Sequence, residues 1–303
     1  MTPNQNNITA LNIHRLRGRM LRLPAPKNKK REILLVYGHH ASLERMFGIA
    51  ANLNRHGAIT IPDLPGFGGM ESFYRIGLQP SLDNYADYLA AFIKLRYKKR
   101  KITIIAMSFS FLIVTRMLQK YPDIAKRVDL LVSSVGFVHH EDFSLPKYQQ
   151  IGLRIMGTVF QHKLPAFLMR YTILQGLVIK AFYSFIGVSH SKMQDAGDKN
   201  VKKQRIKAEI KLWHINDLRT RMKTIADMFK VNLCDKTIDL PVHHVHVDGD
   251  RFLNNRVVEQ HMRIIYKDFI GLQTDIKGHM PSIVATAEDA EPFVPKKLKK
   301  LLK

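Results

Sequence analysis

The chain has 303 residues, of which 46% are hydrophobic and 24% charged, so it is expected to fold around a sizeable core and wholesale disorder is excluded. Its 48 Lys and Arg against 25 Asp and Glu give a net charge of +23, which attracts polyanions without selecting a partner. The single cysteine, Cys234, excludes an intramolecular disulfide and any cysteine-based zinc cluster. Because no nucleic-acid recognition motif accompanies the charge, we expect no specific nucleic-acid partner.

The N-terminal segment has no apolar core of the kind that a secretory signal requires. The longest apolar stretch, residues 164–188, is interrupted by Arg170 and Lys180, and a membrane span needs about 20 mainly apolar residues. The sequence therefore predicts a cytoplasmic protein that is soluble or peripheral to a membrane.

Short β-branched and apolar runs alternate with longer amphipathic stretches along much of the chain. The predicted strands are Ile33–Tyr37, Ala58–Pro62, Ile102–Ala106, Val128–Ser133, Val242–Asp248 and Leu272–Ile276. The predicted helices are Ser42–His56, Ser81–Lys98, Phe109–Tyr121 and Asn254–Phe269. This alternation predicts an α/β fold with a mostly parallel, doubly wound sheet.

The alternation stops between Val138 and Asp235, where the pattern is helical and contains no convincing strand. We therefore expect a core in two parts, residues 1–137 and 236–303, with a helical lid at 138–235. An insertion of this kind is expected over the carboxyl edge of the sheet, where such folds bind ligands. Extra helices packed elsewhere on the core are the alternative.

A candidate nucleophile, Ser108, lies between a predicted strand and a predicted helix. A nucleophile elbow at this place requires small residues two positions before and after the serine, and Ala106 and Ser110 occupy them in place of the usual glycines. Serine is common and both glycines are missing, so this motif carries little weight alone.

The partners that a nucleophilic serine needs occur at other predicted strand ends. His279 follows the last strand and would be the base, and Asp248 and Asp250 follow the strand before it as candidate acids. The order serine, aspartate, histidine is the order this kind of fold uses. Near the N-terminus, a strand runs into Gly38 and His39, so the backbone N–H groups of His39 and Phe109 are expected to form the oxyanion hole.

Five motifs in this order, VYGHHAS, IPDLPGFGGM, IIAMSFSF, VDGDRFL and KGHMPSI, resemble those of the α/β-hydrolase superfamily in its lid-bearing serine-hydrolase form. The resemblance covers about residues 30–137 and 236–295. It implies a serine hydrolase with the triad Ser108, Asp250 and His279, acting on a carboxylic ester or a related, hydrophobic acyl substrate. Such enzymes need neither a cofactor nor a metal. Similar sequences favour Asp250 over Asp248 as the acid.

Three departures from the family pattern bear on this expectation. Tyr37 replaces the histidine that often precedes the oxyanion glycine, the elbow lacks both glycines, and the acid has two candidates. A non-catalytic binding protein on the same fold is therefore one alternative. Another keeps the triad but cleaves a C–C, amide or thioester bond, because the fold does not fix the substrate.

Three further features of the sequence are candidate sites. The loop Asp63–Gly69 is not a dinucleotide fingerprint, because Glu71 occupies the third glycine position. The histidines at 243, 244 and 246 lack the spacing of a metal site, so no metal is expected. The basic tail Lys296–Lys303 has two interpretations, a terminal helix or a contact with anionic lipid. The oligomeric state stays open.

Overall fold

The computed structural model describes residues 4–185, 199–274 and 286–303. Within these residues the chain forms one eight-stranded sheet. Its strands are β1 (Ile8–Ile13), β2 (Leu16–Leu23), β3 (Glu32–Val36), β4 (Ala58–Pro62), β5 (Ile102–Met107), β6 (Val128–Ser134), β7 (Val242–Val247) and β8 (Phe269–Thr274).

The strand order is β1-β2-β4-β3-β5-β6-β7-β8. The hairpin β1–β2 and the pair β2–β4 are antiparallel, whereas every pairing from β4 through β8 is parallel. Strands β4 and β5 are buried along their whole length, because helices cover both faces of the sheet and only a continuously apolar strand suits that position. The expected mostly parallel, doubly wound sheet is confirmed.

The helices of the described residues are α1 (Phe47–Asn54), α2 (Leu82–Tyr97), α3 (Phe109–Lys120), α4 (Pro122–Ala125), α5 (Lys147–Phe160), α6 (Lys163–Tyr171), α7 (Gly176–Phe185), α8 (Lys199–Ile215), α9 (Leu218–Met228), α10 (Asn255–Ile265) and α11 (Lys296–Leu302). The start of α2 is set by Ser81, whose hydroxyl accepts the N–H of Asn84, as expected for an N-cap serine. None of the helices in these residues is long and apolar enough to cross a bilayer.

Most predicted elements agree with the structure to within one residue. The helix expected at Ser42–His56 is shorter, because its first turn, Leu43–Met46, is a 3-10 helix and the α-helix spans Phe47–Asn54. The N-terminal hairpin β1–β2 was not predicted, because its second strand, LRGRMLRL, interrupts the apolar pattern with arginines. The strand expected at Leu272–Ile276 begins three residues earlier, at Phe269, which shortens the helix before it to Ile265. The last two residues of that expected strand lie outside the described residues.

Helices α5 to α9, here called the inserted helices, all lie between β6 and β7. They have a small core of their own, in which Ala166, Leu174, Ile179 and Met222 are buried. Gly157 allows α5 to approach α9 closely, because a Cβ at this position would lie 2.5 Å from the carbonyl oxygen of Met222. The boundaries 138 and 235 remain predictions about domains.

Candidate active site

Ser108 lies at the junction of β5 and α3 in a strained backbone conformation. Its φ of +51° and ψ of −123° are rare for a residue with a side chain, and such strain is typical of a nucleophile elbow. Its N–H donates to the carbonyl oxygen of Ser134 at 2.9 Å, and Phe109 begins the helix. The residue therefore stands at a helix N-terminus, where backbone N–H groups are available to an anion.

The loop after β3 lies directly against this turn. A Cβ built on Gly38 would lie 3.0 Å from the carbonyl oxygen of Met107 and 3.2 Å from Cβ of Ser108, so the backbone approaches the elbow as closely as glycine allows. Ser110 is fully buried; its hydroxyl donates to the Val36 carbonyl at 2.7 Å and accepts the N–H of Met107 at 2.8 Å. The serine that replaces the second glycine therefore ties β3 to the elbow.

The two candidate acids after β7 have different surroundings. Asp250 is buried, and its Oδ1 accepts the N–H of Phe252 at 2.8 Å and that of Leu253 at 3.3 Å. Asp248 leaves two thirds of its side chain exposed and hydrogen-bonds to Gln273 on β8. Of the two, only Asp250 has the burial and the fixed orientation that an orienting carboxylate needs.

His279 lies outside the described residues, as do Gly278, Met280 and Pro281 that surround it in the sequence. The assignment of a base therefore stays a prediction. The described part of the chain brings Ser108 and Phe109 together with the loop that carries His39: the His39 and Phe109 rings lie 5.4 Å apart, edge to face.

Tyr37 and Asp63 form a buried network that the sequence analysis did not identify as part of the site. Tyr37 donates to Asp63 Oδ1 at 2.8 Å, its Oη accepts the N–H of Leu64 at 3.1 Å, and Arg19 donates to Asp63 Oδ2 at 3.0 Å. Burial raises the pKa of Asp63 to about 7, although Arg19 and Tyr37 act in the opposite direction. This network joins the oxyanion loop to the loop Asp63–Gly69.

The inserted helices dock on these same two loops through polar contacts. Thr224 on α9 lies 2.8 Å, hydroxyl to Nε2, from His39. Asn216 accepts the N–H of Gly68 at 2.8 Å, and its side-chain nitrogen lies 3.1 Å from Nδ1 of His40. Sequence reasoning missed Asn216, between α8 and α9, and Thr224 on α9, because nothing in their local pattern distinguishes them from other polar residues of the insertion. The insertion thus lies over the carboxyl ends of β3 and β4.

A cavity of about 230 Å³ lies between α2, α3 and α9, next to the elbow. Its lining is mostly apolar and includes Phe109, Leu112, Tyr85 and Met228. Asp227 also lines it and forms an ion pair with Lys223 one turn earlier. Such a cavity, apolar with few charged groups, suits an uncharged hydrophobic group.

A cluster of His139, Glu141 and His261 is the arrangement in the described residues that comes nearest to a metal centre, with one ligand atom of each within 4.8 Å of the others. Its geometry fits a metal poorly. The rings of His139 and His261 are in contact, tilted by 41° with centroids 4.2 Å apart, and Nδ1 of His139 accepts the N–H of Glu141. Asp142, fully buried, holds Nδ1 of His261 at 2.6 Å. We interpret the cluster as a hydrogen-bonded support for the loop after β6.

The fold and the elbow define the class of protein: a mostly parallel eight-stranded sheet, a strained serine between strand and helix, and helices inserted over the carboxyl edge are those of an α/β hydrolase. The sequence model of the family Hydrolase_4, described as serine aminopeptidase, S33, matches residues 27–266. The chain belongs to this family of hydrolases.

Solved structures of the same fold have low sequence identity to this chain. An α/β hydrolase enzyme from a Medee basin deep-sea metagenome library aligns with a TM-score of 0.67 at 11% identity, covering 97% of this chain and 95% of its own. A membrane phospholipase A, a bacterial virulence factor, gives 0.67 at 14%, covering 97% and 86%. The enol-lactonase from Burkholderia xenovorans LB400 gives 0.62 at 10%, covering 94% and 95%. No curated protein matches this chain in sequence.

Proposed function

We propose that this protein is a serine hydrolase that cleaves a carboxylic ester, or a closely related acyl compound, through an acyl-enzyme. The observation that carries the proposal is the backbone of Ser108, strained at φ +51° at the start of α3 with Gly38 packed against it. A folded protein retains strain of this kind where surrounding structure enforces it, and such places are commonly functional.

In the proposed mechanism the Ser108 oxygen attacks the acyl carbon while His279 takes its proton. The oxyanion that forms accepts hydrogen bonds from the N–H groups of His39 and Phe109. His279 then gives the proton to the leaving alcohol, and an acyl-serine remains. A water molecule attacks it in the same way, with His279 again as base, and releases the acid and the free serine.

Asp250 is proposed to hold the imidazole of His279 in the tautomer that can accept the serine proton. Two backbone N–H groups already donate to its Oδ1, which favours the ionised carboxylate and fixes its orientation. A group that orients the base and stabilises its protonated form needs both properties. Asp248, two thirds exposed and hydrogen-bonded to Gln273, lacks the burial of Asp250.

The cavity beside Phe109 supports an uncharged, hydrophobic acyl or alcohol group as the substrate's main recognition element. The family description, serine aminopeptidase, favours amide cleavage as a second candidate. An aminopeptidase needs an anionic group for the substrate's ammonium, and the acidic residue in this cavity, Asp227, is ion-paired with Lys223. That pairing favours the ester. The cytoplasmic location expected from the sequence stays a prediction.

The experiment is labelling of the purified protein with a fluorophosphonate, followed by peptide mapping. We expect the probe on Ser108, and no labelling of Ser108→Ala. Ser144→Ala, which alters an exposed serine on the loop after β6, is the matched control and should label as the wild type does. A folded, monodisperse wild type that does not label would contradict the proposal and favour a binding protein on the same fold.

A separate, unlabelled sample of the protein is then offered a matched pair of substrates, an aryl ester and the corresponding arylamide of an amino acid with a free α-amino group. The proposal expects turnover of the ester and little of the amide. A preference for the amide would be consistent with Ser108 as the nucleophile and would change the proposed substrate class from esters to amides.

A further inference from the structure

Exposed apolar side chains are concentrated on the inserted helices. Sixteen large hydrophobic residues are exposed in the described part of the chain, and eleven of them fall between Tyr148 and Val178. We call these eleven the outer apolar face. Scattered exposed hydrophobics are ordinary, but a concentration of them in one segment marks an interaction site.

Helix α5 shows that this surface is additional to the packing face of the insertion. Its inner side packs through Met156, Gly157 and Phe160 on the small core shared with α9. A second apolar stripe, Tyr148, Ile151, Ile155 and Val159, recurs at intervals of three and four residues and is exposed. Residues with this spacing share one side of a helix, so α5 is apolar on two sides.

Helix α6 repeats the arrangement. Ala166 and Met169 face the small core, whereas Leu164, Phe167, Leu168 and Tyr171 are each more than half exposed. The rings of Phe167 and Tyr171 pack on each other at 4.5 Å. Leu177 on α7 continues the surface with 82% of its area exposed. Because the three helices pack on one small core, each exposed stripe lies on the side of its helix that is turned away from that core.

The charged residues of this segment are all basic. Residues 147–185 contain five Lys and Arg (Lys147, Arg154, Lys163, Arg170, Lys180) and no Asp or Glu. Apolar stripes accompanied by cations alone are typical of helices that lie in the interface of an anionic bilayer, with the apolar side chains below the headgroups. A second copy of this chain fits this surface less well, because it would bring the same positive charge to the contact. Nucleic acid also fits less well, because it would leave the apolar stripes exposed.

We propose that the outer apolar face is a docking surface for an anionic lipid bilayer. This inference is independent of the proposed ester chemistry, since it uses no residue of the candidate triad. In this proposal the outer apolar face, and not the basic tail, is the main membrane contact. The leucines Leu298 and Leu302 of α11 are buried in the main core, so the tail offers a membrane its lysines with one exposed leucine, Leu301, in place of an apolar stripe.

The test is co-sedimentation of the full chain with two kinds of vesicle. One is phosphatidylcholine alone, and the other is phosphatidylcholine and phosphatidylglycerol at a three-to-one ratio. We expect strong binding to the mixed vesicles and weak binding to the neutral ones. Binding to the mixed vesicles should weaken as the salt concentration rises from about 0.1 M to about 0.5 M. The variant Leu164→Gln/Phe167→Gln/Leu168→Gln should lose at least about tenfold in partitioning, because it removes inserted apolar area. All three side chains are exposed, so its melting temperature should stay within a few degrees of the wild type.

The matched control is Leu78→Gln/Leu95→Gln/Ile264→Gln, which replaces three exposed hydrophobics outside the insertion and should bind as the wild type does. A tail variant, Lys296→Gln/Lys297→Gln/Lys300→Gln, should bind less than twofold more weakly. The proposal is overturned if the wild type ignores anionic vesicles, if the control triple loses as much binding as the face triple, or if only the tail variant loses it. A concentration-dependent dimer that the face triple abolishes, without vesicle binding, would identify a second copy as the occupant.

Discussion

The hydroxyl of Thr224 lies 2.8 Å from Nε2 of His39, so a helix of the insertion holds the residue whose backbone N–H is proposed for the oxyanion hole. Thr224 is buried, and His39 is also in ring contact with Phe67 and Phe109. The insertion therefore contacts the candidate site through a specific hydrogen bond made by a buried side chain.

The first prediction concerns this contact. Thr224→Val keeps the shape of the side chain but removes its hydrogen bond to His39, whose net value is about 0.5–1.5 kcal/mol. If that bond positions the oxyanion loop, kcat on the ester substrate should fall about three- to tenfold with KM nearly unchanged. Thr224→Ser, which keeps the hydroxyl, should recover most of the loss. Equal losses in both variants would mean that the residue only packs.

The second prediction separates the two carboxylates after β7. Asp250→Asn should lower kcat by roughly 10³–10⁴, because the amide stabilises neither the useful tautomer nor the charged imidazole. Asp248→Asn, at an exposed position, should stay within about threefold of the wild type. Steady-state kinetics of the two variants, with melting curves as the folding control, make the comparison. A larger loss in Asp248→Asn would assign the acid to that residue instead.

The third prediction follows from the pKa of Asp63, which burial raises from 3.8 to about 7. Between these values the folded state keeps a proton that the unfolded state releases, so this group makes the free energy of unfolding fall as the pH rises from about 4 to about 7. Each pKa unit corresponds to about 1.4 kcal/mol, so the fall is at most about 4 kcal/mol.

Asp63→Asn removes this group from the titration. Denaturant unfolding at pH 5 and pH 8 should show a smaller loss of stability at the higher pH in the variant than in the wild type. Identical pH dependence in the two proteins would show that Asp63 is ionised throughout, stabilised by Arg19 and Tyr37.

The fourth prediction concerns the C-terminal helix α11, whose leucines differ in burial. Leu298→Ala and Leu302→Ala should each cost about 2–5 kcal/mol, since both side chains are buried in the main core. Leu301→Ala, at a position that is 39% exposed, should cost less than about 1 kcal/mol. Urea unfolding measures all three. Equal, small effects would show that the tail does not contribute to the core.

The sequence by itself determined the central part of the fold and indicated a candidate nucleophile. Strands β3 to β7 were predictable, because a strand covered on both faces must be continuously apolar and such runs are visible without knowing their neighbours. The position of Ser108 between such a run and a helix was predictable in the same way, whereas its role as nucleophile depends on the other motifs and stays a prediction. The order of the motifs along the chain then indicated the superfamily.

Tertiary structure decided what depends on neighbours distant in sequence. The hairpin β1–β2 forms because β2 pairs with β4, some forty residues away, and its arginines find partners there, as Arg19 does at Asp63. The sequence favours Asp250 over Asp248 only through a resemblance to similar sequences, and it is the turn after β7 that exposes Asp248 and buries Asp250. The contact of Thr224 with His39 spans 185 positions, and the outer apolar face is distinguishable from a packing face only once the inner side of each helix is occupied. A local pattern records that a residue is apolar or polar, whereas its partner is chosen by the packing of the whole chain.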